Sequence, residues 1–305
     1  MPFFITILGS SGALPALGRY PTSQYIQIGK HHFLIDAGEG TQVQLTKYGS
    51  HMHRLDAIFI SHLHGDHYLG LMGLLFTMHL NKRTNDLHLY AFKGLSEIIL
   101  LQLKYSKSVL SYHIHFHELK ENTIETIFES ETLTVETIPL THKIPCNGFL
   151  FREKPKPRHI NKEKLIPGML IQHIVQLKQG LDVLDKNGEI LYKNEDFTLP
   201  PSLQRAYAFC SDTAYDERIC EQIQSVDLLY HEATFLSDDQ LKAIETKHST
   251  AREAALIAQK SNVKKLLIGH FSARYHSPEV LLDEARQTFQ QTYLAIEGET
   301  FHIEE

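Results

Sequence analysis

The chain has 305 residues, of which 42% are hydrophobic and 22% are charged, with a formal net charge of −6. This composition indicates a globular protein that can bury a substantial hydrophobic core, and the negative charge argues against a generally basic nucleic-acid coat. Histidine is unusually frequent, at 20 residues, which points to metal or pH chemistry.

Short apolar runs rich in β-branched and aromatic residues predict strands in the first part of the chain. They lie at Phe3–Leu8, Tyr25–Ile28, Phe33–Ile35 and Ala57–Ile60. Helical composition at Thr41–Tyr48 and a mostly apolar run at Tyr68–Leu80 predict two helices. The recurring unit is therefore strand, loop and helix.

The same unit continues to the end of the chain. Further strands are predicted at Leu87–Phe92, at several places between His113 and Phe151, and at Ala206–Cys210, Leu228–Tyr230 and Leu266–Ile268. Further helices are predicted at Leu95–Tyr105, Tyr215–Gln224, Asp238–Thr246, Ala251–Lys260 and Pro278–Gln290. This order predicts an α/β fold in which helices cover the outer faces of mixed sheets, within one domain of residues 1–305.

One segment, Arg152–Pro200, breaks this pattern. It opens with alternating basic residues and prolines and shows little alternation of strand and helix. Two interpretations are open: an inserted arm that protrudes from the domain, or a flexible solvated loop, which charge runs with prolines often form. We call residues 152–200 the arm.

The cysteines and the apolar runs indicate the cellular location of the protein. Cys146, Cys210 and Cys220 leave an odd thiol and have no CxxC spacing, which favours a reducing compartment. The N-terminal apolar run lacks a basic leader, and the longest apolar stretch, near Leu69–Leu80, is too short to span a bilayer. We expect a cytoplasmic protein without a membrane segment.

Four metal-ligand side chains occur within six consecutive positions, directly after the strand predicted at Ala57–Ile60. They are His62, His64, Asp66 and His67. Imidazole nitrogen and carboxylate oxygen suit zinc or manganese, and a hydrolytic site must hold the ion while leaving a position for water. The spacing predicts that His62 and His64 bind one ion and that Asp66 and His67 bind a second.

Three further ligand candidates each follow a predicted strand. They are His142 after Glu136–Leu140, Asp212 after Ala206–Cys210 and His270 after Leu266–Gly269. A carboxylate at Asp212 can bridge two ions at about 3.5 to 4 Å, the separation that lets a metal pair activate water for in-line displacement at phosphorus. The pattern therefore favours hydrolysis of a phosphoester.

With these residues in place, the chain resembles the metallo-β-lactamase superfamily, whose HxHxDH signature is matched by His62–His67. Additional motifs resemble the ribonuclease Z family, endonucleases that remove 3′ trailers from precursor tRNA. These motifs are Leu8–Pro15 (LGSSGALP), Ile35–Gln42 (IDAGEGTQ), His231–Phe235 (HEATF), His248–Thr250 (HST) and His270–Tyr275 (HFSARY). The resemblance spans nearly the whole chain and implies an αββα sandwich.

The resemblance also implies roles for individual residues. It assigns His62, His64 and His142 to one zinc ion, Asp66, His67 and His270 to the other, and Asp212 to both. It implies that Asp66 accepts the proton of the attacking water and that His248 donates a proton to the departing 3′ oxygen. Glu232 is a candidate to orient His248, with a structural ion pair as the alternative, and Arg274 is a candidate to bind the scissile phosphate.

For the arm, the resemblance implies an exosite that grips the body of tRNA through sequence-independent, salt-sensitive phosphate contacts. Its basic residues are Arg152, Lys154, Lys156, Arg158, Lys162 and Lys164, against Glu153 and Glu163. The family further implies a homodimer with two Zn²⁺ per subunit, for which Mn²⁺ or Fe are alternatives. Precursor tRNA is the expected partner, and no DNA is expected.

Two positions depart from the family pattern. Ser211 stands before Asp212 where the family usually has glycine, and Pro167-Gly168 reverses the glycine-proline pair common at the arm tip. Two other functions remain open: a small-molecule phosphodiesterase or arylsulfatase-like hydrolase on the same scaffold, and a noncatalytic RNA-binding or scaffold protein. The complete ligand set argues against the noncatalytic alternative.

Overall fold

A computed structural model describes residues 1–305. In chain order its strands are β1 (Phe3–Gly9), β2 (Ser23–Ile28), β3 (His31–Ile35), β4 (Ala57–Phe59), β5 (Leu87–Ala91), β6 (Ile114–Glu118), β7 (Thr126–Glu129), β8 (Leu133–Leu140), β9 (Cys146–Glu153), β10 (His159–Ile160), β11 (Val183–Leu184), β12 (Ile190–Tyr192), β13 (Thr198–Leu199), β14 (Ala206–Cys210), β15 (Leu228–Glu232), β16 (Leu266–Gly269), β17 (Thr292–Leu294) and β18 (Thr300–His302).

The α-helices are α1 (Thr41–Lys47), α2 (Gly65–Tyr68), α3 (Leu71–Leu80), α4 (Leu95–Ser106), α5 (Ile171–Lys178), α6 (Asn194–Phe197), α7 (Gln240–Thr246), α8 (Ala251–Lys260) and α9 (Glu279–Arg286). Single 3-10 turns lie at Met52–Arg54, Lys162–Lys164, Glu217–Ile219 and Ser237–Asp239. No helix is both long and apolar enough to cross a bilayer.

Two seven-stranded mixed sheets form the body of the molecule. The first has the strand order β18-β1-β2-β3-β4-β5-β6 and is parallel from β3 to β6. The second has the order β17-β16-β15-β14-β9-β8-β7 and is parallel from β14 to β17. Because parallel strands need a crossover connection, helices lie on the outer faces of both sheets.

The apolar side chains separate into three layers, as expected when both faces of a sheet are covered. Residues such as Phe33, Phe59 and Phe149 fill the space between the sheets. Leu34 and Ile58, on the opposite face of the first sheet, pack with residues of α3 and α4, and a third cluster joins the second sheet to α8 and α9. The predicted arrangement of two mixed sheets flanked by helices is confirmed.

Local differences from the predicted elements have identifiable causes. The apolar run Tyr68–Leu80 forms two helices, α2 and α3, because the chain at Gly70 lies against the backbone of Gly38. A Cβ atom at Gly70 would lie 1.9 Å from the Gly38 carbonyl oxygen, so only glycine fits there. The short helix α2 thus ends before the break and carries Asp66 and His67.

The helix predicted at Tyr215–Gln224 is wrong. The backbone forms only the 3-10 turn Glu217–Ile219 followed by further turns, and Ser225 then adopts a left-handed φ of 57°. Ile219 and Ile223 are buried at a helical spacing of four residues, which explains the misleading pattern. The Asp216 side chain accepts a hydrogen bond from Arg218 N and tightens the first turn.

The arm leaves the second sheet where β9 ends and returns where β14 begins, so Arg152 and Glu153 still belong to the sheet. Beyond them the chain forms two small two-stranded sheets, β10-β13 and β11-β12, together with α5 and α6. At its base, Arg205 donates to both carboxylate oxygens of Glu153 and to the Ile303 carbonyl. The arm is thus a folded excursion with a buried ion pair at its base.

Candidate metal centre

The ligand candidates converge at one edge of the sandwich. The loops after β4, β8, β14 and β16 all open at this edge, since their ligand candidates lie close together. In the second sheet, β14 and β16 both run parallel to β15, and β8 runs in the same direction because β9 is antiparallel to both β8 and β14. The residues predicted as ligands lie in these loops. Two groups of their side chains could hold metal ions, with the ligand atoms of each group within 4.8 Å of one another: His62, His64, His142 and Asp212, and Asp66, His67 and His270.

The first group forms where the loop after β4 meets the loop after β8. His62 Nε2 lies 3.0 Å from His64 Nδ1, which lies 3.2 Å from His142 Nε2. His142 Nδ1 donates to the Lys247 carbonyl at 2.9 Å, and this contact leaves Nε2 free for an ion. Burial lowers the pKa values of all three imidazoles, which keeps them neutral as metal ligands require.

The second group joins the short helix α2 to the end of β16. Asp66 Oδ2 lies 3.5 Å from His67 Nε2 and 3.4 Å from His270 Nε2. The backbone N–H of Ala13, in the Leu8–Pro15 loop, donates to the same oxygen at 2.7 Å. Asp66 is therefore held from outside the group by the N-terminal loop.

Asp212 lies between the two groups and presents one oxygen to each. Oδ2 lies 3.6 Å from His62 Nε2 and 3.9 Å from His142 Nε2. Oδ1 lies 3.4 Å from His67 Nε2 and 3.2 Å from His270 Nε2. A carboxylate in this position can serve both groups at once.

The chemistry of these donors fits bound cations. His67 Nε2 and Asp212 Oδ1 are buried polar atoms without a hydrogen-bond partner, which is costly unless another group satisfies them. Burial disfavours charge on His67, yet the carboxylates of Asp212, Asp36 and Asp66 outweigh burial and hold the pKa of His67 well above its usual value. The same negative potential would stabilise a divalent cation there.

Asp36 holds the candidate ligand His67 by a hydrogen bond on the ring nitrogen that faces away from Asp66 and Asp212, a role that we did not predict. The residue follows β3 and is fully buried; its Oδ2 accepts from His67 Nδ1 at 2.7 Å and its Oδ1 accepts from Ser61 N at 2.8 Å. Ligand histidines commonly donate their second ring N–H to such a carboxylate. Asp36 shares the signal of the predicted ligands, an acidic residue after an apolar strand, so the sequence offered a way to find it.

Replacing Asp36 by alanine is expected to reduce the free energy of unfolding by about 3 to 5 kcal/mol, because His67 loses its buried partner. Equilibrium denaturation with urea would measure the change. Asp36→Asn keeps the size and one acceptor oxygen, so it should cost clearly less. Equal losses in the two variants would show that the carboxylate charge does not matter.

Ser211 makes its side-chain hydrogen bond to a residue outside the ligand set. Its hydroxyl donates to Ser61 Oγ at 3.0 Å, and Ser61 Oγ in turn donates to Asp36 Oδ2 at 2.9 Å. The side chain that replaces the family glycine therefore extends the hydrogen-bonded support of His67. It is buried, and the hydrogen bond to Ser61 satisfies its hydroxyl.

His248 lies beside both groups, just before α8. Its ring stacks 5.3 Å from that of His270, and its Nδ1 lies 2.8 Å from Glu232 Oε1 at the end of β15. Burial opposes charge on the ring, but Glu232 outweighs it and raises the pKa of His248 to about 9. Thr234, another residue that we did not predict, joins Glu232 to His270 by hydrogen bonds of 2.6 and 2.9 Å.

The side chain of Arg274 contacts residues outside the ligand set. Its Nη1 donates to Asp239 Oδ1 at 2.6 Å, and its guanidinium lies 5.0 Å from the centre of the Phe235 ring. Asp239 also accepts from the Tyr275 hydroxyl at 2.6 Å. The structure thus pairs Arg274 with a carboxylate, and the phosphate-binding role stays a prediction.

Comparisons with known proteins identify the family of this chain. The chain is 46% identical over 303 residues to a ribonuclease Z of Cytophaga hutchinsonii, covering 99% of this chain and 97% of that protein. The chain belongs to the ribonuclease Z family. A ribonuclease Z of Bacteroides thetaiotaomicron is 44% identical, with 97% of this chain and 94% of that protein covered.

The solved structures agree with this family. The short form of human tRNase Z superposes with a TM-score of 0.72 at 26% identity, covering 98% of each chain. The metallo-β-lactamase-fold protein YhfI of Bacillus subtilis, at 18% identity and a TM-score of 0.69, shares the fold. A family model described as Anti-Pycsar protein Apyc1 matches residues 3–292, so the chain belongs to that group as well. The ribonuclease Z resemblance and the metallo-β-lactamase fold are thereby confirmed.

Proposed function

We propose that the protein is an endoribonuclease that removes the 3′ trailer from precursor tRNA by hydrolysing one phosphodiester. The observation that carries this proposal is the full set of seven converging ligand side chains in a chain that matches ribonucleases Z from end to end. The products are tRNA with a 3′ hydroxyl and a trailer with a 5′ phosphate.

The two ligand groups would hold two Zn²⁺ ions, since imidazole-rich sets with carboxylates suit zinc, although Mn²⁺ or Fe also accept such ligands. His62, His64 and His142 would bind one ion, Asp66, His67 and His270 the other, and Asp212 both. When bound, the two cations supply a nucleophilic water at neutral pH and neutralise charge on the phosphate.

The residues of the chain supply the proton transfers. Asp66 lies in the second ligand group and accepts the proton of the attacking water. As the bond between phosphorus and the 3′ oxygen breaks, His248 donates a proton to that oxygen, which is otherwise a poor leaving group. Glu232 accepts from His248 Nδ1, so the opposite ring nitrogen, Nε2, is the one that can face the substrate.

The position of the arm supports a homodimer. β9 begins at Cys146 beside the centre and ends at Glu153 at the base of the arm. Its eight residues span roughly 25 Å at about 3.3 Å per residue, so the arm leaves the opposite end of the strand. A tRNA gripped by the arm of one subunit would therefore reach the centre of the other subunit more readily.

Only part of the basic charge in the arm is free for RNA. Lys154 pairs with Glu129 at 2.5 Å and Lys156 with Glu153 at 2.9 Å. Lys162 and Lys164 have no acidic partner within 4.0 Å and are exposed. These two lysines, which lie close together in the chain, are candidates for phosphate contacts.

A Lys162→Ala/Lys164→Ala variant is expected to raise the KM for precursor tRNA and leave kcat nearly unchanged. The slope of log kcat/KM against log salt should fall by about 2, because two phosphate contacts are lost. Lys30→Ala/Lys265→Ala is the matched control, since both lysines are exposed and lie outside the arm. An unchanged salt slope would contradict the exosite role.

The proposal itself is tested by incubating the zinc-loaded protein with a trailer-bearing tRNA precursor and mapping the ends of the products. Cleavage at the trailer junction with a 3′ hydroxyl is the expected result. An intact precursor together with hydrolysis of bis(p-nitrophenyl) phosphate would instead indicate a small-molecule phosphodiesterase.

We place the reaction in the cytoplasm, a reducing compartment, in which the thiols of Cys146, Cys210 and Cys220 would stay free.

A further inference from the structure

A second group of histidines lies on the strands β5 and β6, and none of its members belongs to the metal centre. His115 and His117 alternate along β6, so their side chains share one face of that strand. His88 on β5 is in register with His115. Its ring stacks 4.9 Å from that of His115 and 5.1 Å from that of His117. The three imidazoles therefore form one cluster, which the proposed reaction does not use.

The cluster lies where the interior of the sandwich meets solvent. Rings of Phe59, Tyr90 and His117 stack in succession across the first sheet, with centres 4.9 and 4.3 Å apart. Phe59 and Tyr90 are buried between the sheets. By contrast, His88 and His117 are half-buried and His115 is exposed, because β6 is the edge strand of its sheet. A dissolved ion can therefore reach these imidazoles.

One pair of ring nitrogens in the cluster has the spacing of two ligands of the same ion. His88 Nδ1 lies 2.9 Å from His117 Nε2. At the metal centre, the corresponding distances are 3.0 Å between the ring nitrogens of His62 and His64 and 3.2 Å between those of His64 and His142. An ion at the usual zinc–nitrogen distance of about 2.0 to 2.1 Å can contact both nitrogens of such a pair.

The surroundings keep this pair neutral and place negative charge near it. Burial, with the neighbouring imidazoles, lowers the pKa values of His88 and His117. Neutral imidazole is the form that binds a metal ion. The carboxylates of Asp86 and Asp56 oppose the shift at His88 without reversing it. Asp86 also fixes the third ring, since its Oδ2 lies 2.7 Å from His115 Nε2.

We propose that His88 and His117 bind a divalent transition-metal ion, Zn²⁺ when zinc is supplied, at a peripheral site where water completes the coordination. Imidazole nitrogen suits this class of ion. The site is separate from the metal centre, because His88 is in register with Ala57 at the start of β4, whereas His62 follows the end of that strand. The ion ties the edge strand β6 to β5. A hydrogen bond between the two imidazoles uses only one of their lone pairs, whereas a cation uses both.

Equilibrium dialysis of the zinc-loaded protein against free Zn²⁺ at neutral pH tests this site by counting the bound ions. The unmodified protein is expected to bind one ion more per subunit than a His88→Gln/His117→Gln variant. A His53→Gln/His302→Gln variant is the matched control, because it removes two exposed imidazoles elsewhere, and it should keep the additional ion. Free Zn²⁺ should also raise the midpoint of thermal unfolding of the unmodified protein and the control, but not that of the His88→Gln/His117→Gln variant, because the ion binds only the folded pair.

Equal zinc content in the unmodified protein and the His88→Gln/His117→Gln variant would overturn the proposal and leave the pair as a hydrogen bond between imidazoles. An equal loss of zinc in the control would also overturn it, since exposed histidines in general would then bind the ion. If the variant does not fold, zinc-soaked crystals of the unmodified protein provide the second measurement. Anomalous scattering at the zinc edge should show an ion between His88 Nδ1 and His117 Nε2, and the lack of a peak there would contradict the site.

Discussion

Replacing Asp212 by alanine is expected to lower kcat/KM for precursor tRNA by more than about 1,000-fold. Loss of a single stabilising group at a reacting centre already costs about 100- to 1,000-fold. Asp212 presents one oxygen to each ligand group, so its removal weakens both. Metal content measured on the purified variant should fall below two ions per subunit.

Asp283→Ala is the control for this change, because Asp283 is an exposed carboxylate on α9 that has no ion pair. It should keep full activity and full metal content. An Asp212→Ala variant that keeps both ions and most of its activity would exclude the bridging role. Retention of both ions with loss of activity would show that Asp212 is needed for the reaction but not for holding the ions.

Replacing His248 by alanine is expected to reduce kcat by about 100- to 10,000-fold, the usual contribution of general acid catalysis. His248 also lies within 4.8 Å of Asp212 and His270 as a possible third group, but the two groups assigned to the ions are complete without it, so the metal content should stay unchanged. A precursor analogue whose 3′ leaving atom is sulfur should recover most of the loss, because a thiolate leaves without a proton donor. Equal losses on both substrates would show that His248 does not protonate the leaving group.

The pH dependence offers a second measure of His248. The ring must be protonated to donate, so activity should fall as pH rises through its pKa, which Glu232 raises to about 9. Bound cations would lower this value, so the descending limb is expected at or below about pH 9. Glu232→Gln removes the negative partner and should move the limb to lower pH. A limb at the same pH in both proteins would assign it to another group.

The strands that lead into the ligand candidates could be predicted from the sequence more accurately than the elements around them. Segments such as Ala57–Ile60 and Ala206–Cys210 are continuous apolar runs because both faces of their sheets are buried. Each run ends two residues before a ligand candidate. The strands β17 (Thr-Tyr-Leu) and β18 (Thr-Phe-His) were not predicted, since neither is a continuous apolar run as β4 (Ala-Ile-Phe) is. Helix α5 in the arm was missed because Leu170, Ile171 and Val175 are exposed, so its pattern does not mark a buried face.

The identities of the ligand candidates could be predicted because sequence position and spatial position coincide where strands end at the same edge of the sandwich. His62, Asp66, Asp212 and the other ligands each follow directly on a strand or its turn, and such strands all end at one edge. Contacts between distant parts of the chain have no such local signal. Asp36 behind His67, Ala13 against Asp66, and the carboxylate that pairs with Arg274 depend on how the loops pack.

The sequence by itself determined a two-sheet α/β fold, a donor set suited to metal and a basic arm, since these follow from local patterns of side chains. Only the tertiary structure decided that Asp212 presents one oxygen to each ligand group and that the arm leaves the far end of β9. The physical reason is that orientation and proximity depend on the packing of both sheets, which no single segment encodes.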